Sequence, residues 1–155
     1  DYTYTDGRIA GYRQAMAGRH IEVPERWLGL SWDATAIESV LEHSPEITAI
    51  VFLDDGYAVQ YGMPALEAAG YRVPEDISVV SFDNISQAIT YTPPVTSVEL
   101  PFYEIGYRAV KVLEEHFRDP MLRSQQIRLK TILHQRASSG PPRTNHSPSH
   151  GAGQD

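Results

Sequence analysis

With 155 residues, 41% apolar and 21% charged, the chain has the makeup of one globular domain with a proper core, and no apolar run long enough to span a bilayer. It contains no cysteine, which excludes disulfide frameworks, thiolate zinc sites and thiol nucleophiles and fits a reducing compartment, so a cytoplasmic location is expected. The 13 basic residues against 20 acidic ones leave a net charge of −7, which repels a phosphate backbone and argues against DNA binding by this segment alone.

The opening residues, Asp1-Tyr2-Thr3-Tyr4-Thr5-Asp6, have neither the basic end nor the apolar centre of a secretory signal. Apolar spacing through Ile9, Tyr12, Ala15 and Met16 predicts a first helix, and beyond Pro24 the short run Trp27-Leu28-Gly29-Leu30 reads as a strand. Residues 34–42 predict a second helix with Ile37, Val40 and Leu41 facing inward. The run at 47–53 lacks polar alternation, the pattern of a parallel-sheet strand covered by helices on both faces, and it stops on Asp54-Asp55-Gly56. A helix over 57–69 should end at Gly70, with Pro64 in its interior expected to kink it or end its first half. Residues 77–82 repeat the buried-strand pattern and stop on Asp83-Asn84.

Past Pro93-Pro94, residues 95–99 read as a strand. Residues 102–117 give the clearest helix, with an apolar stripe at Phe102, Gly106, Ala109, Val110, Leu113 and Phe117. A closing strand pair is expected across 126–136. Ser, Gly, Pro and His dominate from there on, and 138–155 are expected to be a disordered tail. Alternating strands and helices make this an α/β fold with a parallel sheet flanked by helices.

In open α/β sheets ligands bind beyond the carboxyl ends of the strands, which makes Asp54 and Asp83 the first candidates for ligand contact. A carboxylate accepts hydrogen bonds from the neighbouring hydroxyls of a sugar, and Trp32, Tyr57 or Phe102 can cover the ring's apolar side. Arg8 is the candidate donor. Each has a plainer reading beside it. Asp at such a junction often only caps a helix, and for Asp55 capping is expected ahead of ligand contact. Trp32 and Phe102 can be core residues, and Arg8 a solvated charge.

A catalytic or hard-cation role for Asp54, Asp55 and Asp83 has little support, because no phosphate-cradling loop, nucleophile elbow or H-E-x-x-H motif accompanies them. The six histidines lie far apart. No metal, cofactor or catalytic residue is expected.

Four stretches, Arg8-Ile9-Ala10-Gly11-Tyr12, residues 48–55, residues 73–84 (VPEDISVVSFDN) and Pro94-Val95-Thr96-Ser97-Val98, together resemble the effector domain of LacI/GalR-type transcriptional regulators. The 73–84 stretch is the most specific, and the order holds from about residue 8 to 136. The resemblance implies a type I periplasmic-binding-protein-like fold, in which two α/β subdomains close over a sugar, nucleoside or other small metabolite. It implies a cytoplasmic homodimeric repressor that reaches operator DNA through an N-terminal headpiece expected to be absent from this chain. A periplasmic solute-binding protein of a sugar transporter is the alternative.

On that reading, residues 1–137 are a partial effector domain. Residues 1–100 form the C-terminal subdomain, 101–130 cross to a mostly absent first subdomain, and 131–137 return as a strand. The helix at 102–117 is then expected to be incompletely packed. The resemblance also assigns ligand contacts to Arg8, Trp32, Asp54, Asp83 and Phe102. Asp54 stands where the family commonly has asparagine, which favours a hydroxyl-rich or cationic ligand. Leu100 stands at a position that can be polar.

Overall fold

The computed structural model describes residues 3–29 and 34–143. Trp32 lies outside the described residues, as does the sequence beyond 143.

Three parallel strands form the body of the sheet: β1 (Ala49–Val51), β2 (Ser78–Phe82) and β3 (Thr96–Glu99). They pair in sequence order with Ile50 opposite Val79 and Ser81 opposite Ser97. A fourth, β4 (Ile132–His134), lies antiparallel to β3 with Val98 opposite Leu133. The expected parallel sheet is thus present, with one antiparallel edge strand where a strand pair had been expected. Residues 126–131 have no further strand to pair with, and Ile127 stays 44% exposed.

One face of the sheet carries the core. Ile37 and Leu41 of helix α2 (Ala34–His43) meet Phe52, Leu66, Ile77, Val79, Ala88 and Val95 in a single buried cluster. On the opposite face of β1, Val51 is half exposed, so among the described residues helices do not cover both faces equally. The first helix, α1 (Thr3–Ala17), holds Ile9, Tyr12 and Met16 half-buried along one stripe; Ala15 is exposed.

The expected strand at 27–30 is not one over its described residues. Glu25–Trp27 form a 3-10 turn opened by Pro24, whose carbonyl accepts from the Trp27 N–H. Leu28 is extended but belongs to no strand of the sheet, and Trp27 Nε1 donates to Glu46 Oε1 at 3.1 Å.

Pro64 does not end the helix after β1, which runs on through it with a change of hydrogen-bond pattern just before it. An α turn, α3 (Asp55–Tyr57), passes into a π-helical segment (Ala58–Gly62) before α4 (Met63–Ala68) resumes. Proline cannot donate to the carbonyl one turn back, and the turn before it is of the wider π type, with the Met63 N–H donating to Ala58 O. Gly70, at φ +80°, ends α4. The Tyr71 N–H returns to Leu66 O and the Gly70 N–H to Glu67 O, both at 2.9 Å, the double closure that a left-handed glycine permits.

The VPEDI segment is a closed turn before β2. Asp76 Oδ2 accepts from the Arg72 N–H at 2.9 Å, and the Asp76 N–H donates to Arg72 O at 2.8 Å. A five-residue helix, α5 (Ser86–Thr90), follows β2; it is too short to show a periodic signal in sequence and was not anticipated.

The last helix, α6 (Phe102–Arg118), buries none of its residues. Phe102 and Leu113 are 57% exposed and Phe117 84%, so the stripe lacks a covering surface among the described residues, as the resemblance had implied.

The tail boundary needs correction. Ser138 is fully buried: its N–H donates to Pro94 O, its carbonyl accepts from Val79, and its hydroxyl bonds Val79 O and the Thr96 N–H. Gly140 exchanges hydrogen bonds with the Ser78 hydroxyl, and Arg143 Nη2 reaches Pro45 O at 2.9 Å. Small polar residues, read from composition as unable to order, here bridge β2 and β3 through their hydroxyls and backbone. Residues 138–143 therefore belong to the fold.

Candidate functional site

The carboxyl ends of β1, β2 and β3 present Asp54, Asp83 and Glu99 at the same edge of the sheet. An open cleft of about 470 Å³ runs between the β2 and β3 ends and the start of α6, lined by Asp83, Asn84, Glu99, Leu100, Phe102 and Tyr103 among others. Of the predicted residues, Asp83 and Phe102 line this cleft directly. Phe102 sits exposed at the first turn of α6 and is not part of the described core.

Arg8 and Asp54 flank Asp83. The Arg8 guanidinium lies over the Phe82 ring, 5.5 Å from its centroid, and its charge favours the ionised form of the neighbouring Asp83. Burial pushes the Asp83 carboxyl above its ordinary range, and the nearby charges of Asp54 and Asp55 push the same way against Arg8. Three of the predicted residues, Arg8, Asp54 and Asp83, are thus electrostatically coupled at one place. Trp32 cannot be placed, since it lies outside the described residues.

The roles of the two aspartates after β1 differ from expectation. Asp54 is the cap: its Oδ1 accepts from the Tyr57 N–H at 2.7 Å. Asp55, expected to cap, is fully buried and accepts from the Ser81 hydroxyl, the Ser97 hydroxyl at 3.0 Å and the Ile85 N–H at 3.0 Å. Asp54 is the last residue before the helix and Asp55 its first, so the helix start sends one side chain back to its own N–H groups and the next towards β2 and β3, and spacing alone did not say which.

Sequence reasoning missed Asn84 and Glu99. Asp83 and Asn84 both have positive φ, +99° and +56°, a rare conformation for residues with a Cβ. The Asn84 N–H donates to Ser97 Oγ at 3.0 Å and its side-chain amide to Glu99 Oε2 at 3.1 Å. Glu99 Oε2 also meets His134 Nε2 at 2.5 Å, and an Arg136 guanidinium N–H donates to Asn84 Oδ1. The available signal was positional: Glu99 ends β3 as Asp54 and Asp83 follow the strands before it.

Among the described residues no group of three His, Asp or Glu side chains is arranged to hold a metal ion, and no helix is long and apolar enough to cross a membrane. Asp83 and Phe102 thus share one open cleft, with a carboxylate and an aromatic ring along its lining.

Known proteins share this framework. The sequence pattern of the periplasmic binding protein-like domain matches residues 1–139. The chain is 34% identical over 117 residues to the HTH-type transcriptional repressor PurR of Vibrio campbellii, an alignment covering 72% of this chain and 35% of that protein. It is 31% identical over 137 residues to the ribose operon repressor of Escherichia coli, covering 85% and 41%. The solved complex of the transcriptional regulator CelR with cellobiose superposes with a TM-score of 0.78 at 28% identity, over 85% of this chain and 42% of that one. The chain therefore spans less than half the length of these relatives. With a matching pattern over most of its length and a matching fold, the chain belongs to the periplasmic binding protein-like domain family, in the form that LacI-family regulators carry as their effector domain.

Proposed function

We propose that this chain is the ligand-sensing part of a cytoplasmic, homodimeric transcriptional repressor that binds a neutral, hydroxyl-rich small molecule at the strand ends. The observation that carries the reading is the convergence of Arg8, Asp54 and Asp83 at the carboxyl edge of the parallel strands, beside a cleft that also exposes Phe102. The cleft lining includes the carboxylates of Asp83, Glu99 and Glu104, which disfavours phosphorylated or carboxylated ligands and suits sugar hydroxyls. The proteins it resembles support a regulator over a transporter's solute-binding protein, since they are two repressors and a transcriptional regulator.

No bond is made or broken in this mechanism. The ligand binds one closure state more tightly than another, and the shift in population changes how the dimer fits its operator. Operator contact belongs to a separate DNA-binding segment, because the net charge of −7 works against DNA binding here.

The test is a thermal melt of the protein in its complete reading frame against ribose, cellobiose, ribose 5-phosphate and free purine bases. A neutral sugar at 100 times its Kd is expected to add about 2.7 kcal/mol of stability, with no gain from the phosphorylated sugar. Stabilisation by the sugar phosphate alone would overturn the ligand class, and stabilisation by none of the panel would count against a sugar sensor.

A further inference from the structure

The Asp83–Asn84 loop is strained and yet held from β3 and from the segment after β4, and the way it is held assigns a task to Glu99, His134 and Arg136. Two consecutive residues with a Cβ at positive φ persist only where their surroundings over-determine them. Here Asp83 N–H donates to Val98 O at 2.9 Å and Asn84 N–H to Ser97 Oγ, both on β3. The Asn84 amide group is gripped at both ends, its nitrogen by Glu99 of β3 and its oxygen by Arg136 beyond β4. Glu99 is in turn held by His134 of β4. Arg136 is fixed by its own N–H to Thr96 Oγ1 at 2.9 Å and by Nη1 to Val95 O at 2.6 Å.

We propose that Glu99 is a positioning residue: with His134 and Arg136 it forms a clasp around Asn84 that fixes the backbone of the loop presenting Asp83 to the ligand. The consequence for sensing rests on the reading of Asp83 as a ligand contact; the clasp itself does not. Glu99 stands immediately before residues 100–101, which lead out to α6, and His134 ends the strand by which the chain comes back. The clasp therefore joins the outgoing and returning segments to the ligand loop. A movement of α6 relative to the sheet is transmitted to Asn84 through Glu99, and ligand bound at Asp83 biases the same segments in return.

A clasp differs from a generic stabilising contact in where its loss is felt. In the full chain, Glu99→Ala is expected to speed hydrogen exchange of the Asp83 and Asn84 amides by about tenfold or more while leaving Val79 and Leu66 in the core unchanged. The side-chain NH2 signals of Asn84 should shift at the same time. Glu99→Gln keeps an acceptor for Asn84 and gives up the ionised partner of His134, so it should restore most of the protection. His134→Ala, on the edge strand, is the second variant and should loosen the same two amides to a smaller degree.

Uniform acceleration across the chain, or Asn84 signals unmoved in both Glu99→Ala and His134→Ala, would overturn the clasp. The sugar melts separate the two proposals. A loosened loop in a protein that no sugar stabilises leaves the clasp standing without the sensor, and a sugar-stabilised protein whose Asn84 ignores Glu99→Ala leaves the sensor standing without the clasp.

Discussion

The buried carboxylate of Asp55 accepts a hydrogen bond from the hydroxyl of Ser97, 3.0 Å away and two strands across the sheet. With the Ser81 hydroxyl and the Ile85 N–H also donating to it, this one side chain ties the end of β1 to β2, to β3 and to the loop before α5. It is a structural fastener beneath the carboxyl ends of the strands.

Removing it leaves buried donors without an acceptor. Asp55→Ala is expected to cost roughly 3 kcal/mol or more in urea unfolding, from the lost charge-assisted bonds and the orphaned Ser81, Ser97 and Ile85 groups. Asp54→Ala next door should cost only about 1 kcal/mol, the value of a helix cap. Equal losses at the two positions would contradict the roles assigned here.

Asp83 should behave in the opposite sense. Its folded-state pKa is raised, chiefly by burial, so the folded protein holds that proton more tightly than the unfolded chain does. Ionised Asp83 therefore costs stability at neutral pH, and the cost fades as pH falls from the folded value towards the unfolded one, below which it is gone. Asp83→Asn is expected to raise the melting temperature slightly at pH 7, by less than about 1 kcal/mol given the exposure of the site, while weakening ligand binding. A lower melting temperature for Asp83→Asn at pH 7 would argue against the burial strain.

Asp76 supplies acid sensitivity of the usual sign. The Arg72 guanidinium and N–H hold its carboxyl down to about 2, so its contribution is present above the ordinary carboxylate range and lost as pH falls from about 4 towards 2. Because Arg72 is largely exposed, the gain is on the order of 1 kcal/mol after screening. Asp76→Asn should lower stability at pH 7 by that amount and flatten the acid limb of a pH-dependent melt. An unchanged acid limb would place the loss elsewhere.

Gly62 closes the π segment against the ring of Phe52. A Cβ at that position would stand 2.8 Å from Cε2 and 2.9 Å from Cε1, well inside van der Waals contact. Gly62→Ala is expected to destabilise by about 1–3 kcal/mol through overpacking, and shrinking the ring with Phe52→Leu in the same chain should recover part of it. Purely additive losses in the double variant would show that the close approach is not the cause.

What was legible in the sequence follows from which physical signals are local. Largely apolar runs without strict alternation at 47–53 and 77–82 announced β1 and β2, and Gly70 announced the end of its helix, because each acts within a turn or a strand. The carboxylates at strand ends were legible for the same reason. The cap proved to be Asp54 and not Asp55, since which carboxylate meets the first helical N–H depends on where the helix after β1 begins, a difference of one residue that the run Asp54-Asp55-Gly56 does not mark. The Ser138–Gly140 contacts were illegible because hydroxyl groups bonded to distant strands look in composition like those of a tail. Glu99 was passed over because its partners, Asn84 and His134, are 15 and 35 residues away.

The most direct test of the central claim, that the strand-end edge holds the effector, is titration calorimetry of the full-length protein with the sugar that stabilises it, comparing wild type with Asp83→Ala and Arg8→Ala. Loss of one good charge-assisted contact at either position is expected to weaken binding by roughly tenfold to a hundredfold, about 1.5–3 kcal/mol, with the fold intact by circular dichroism. Affinity within a factor of about two of wild type in both variants would contradict the account and move the effector site away from the strand ends.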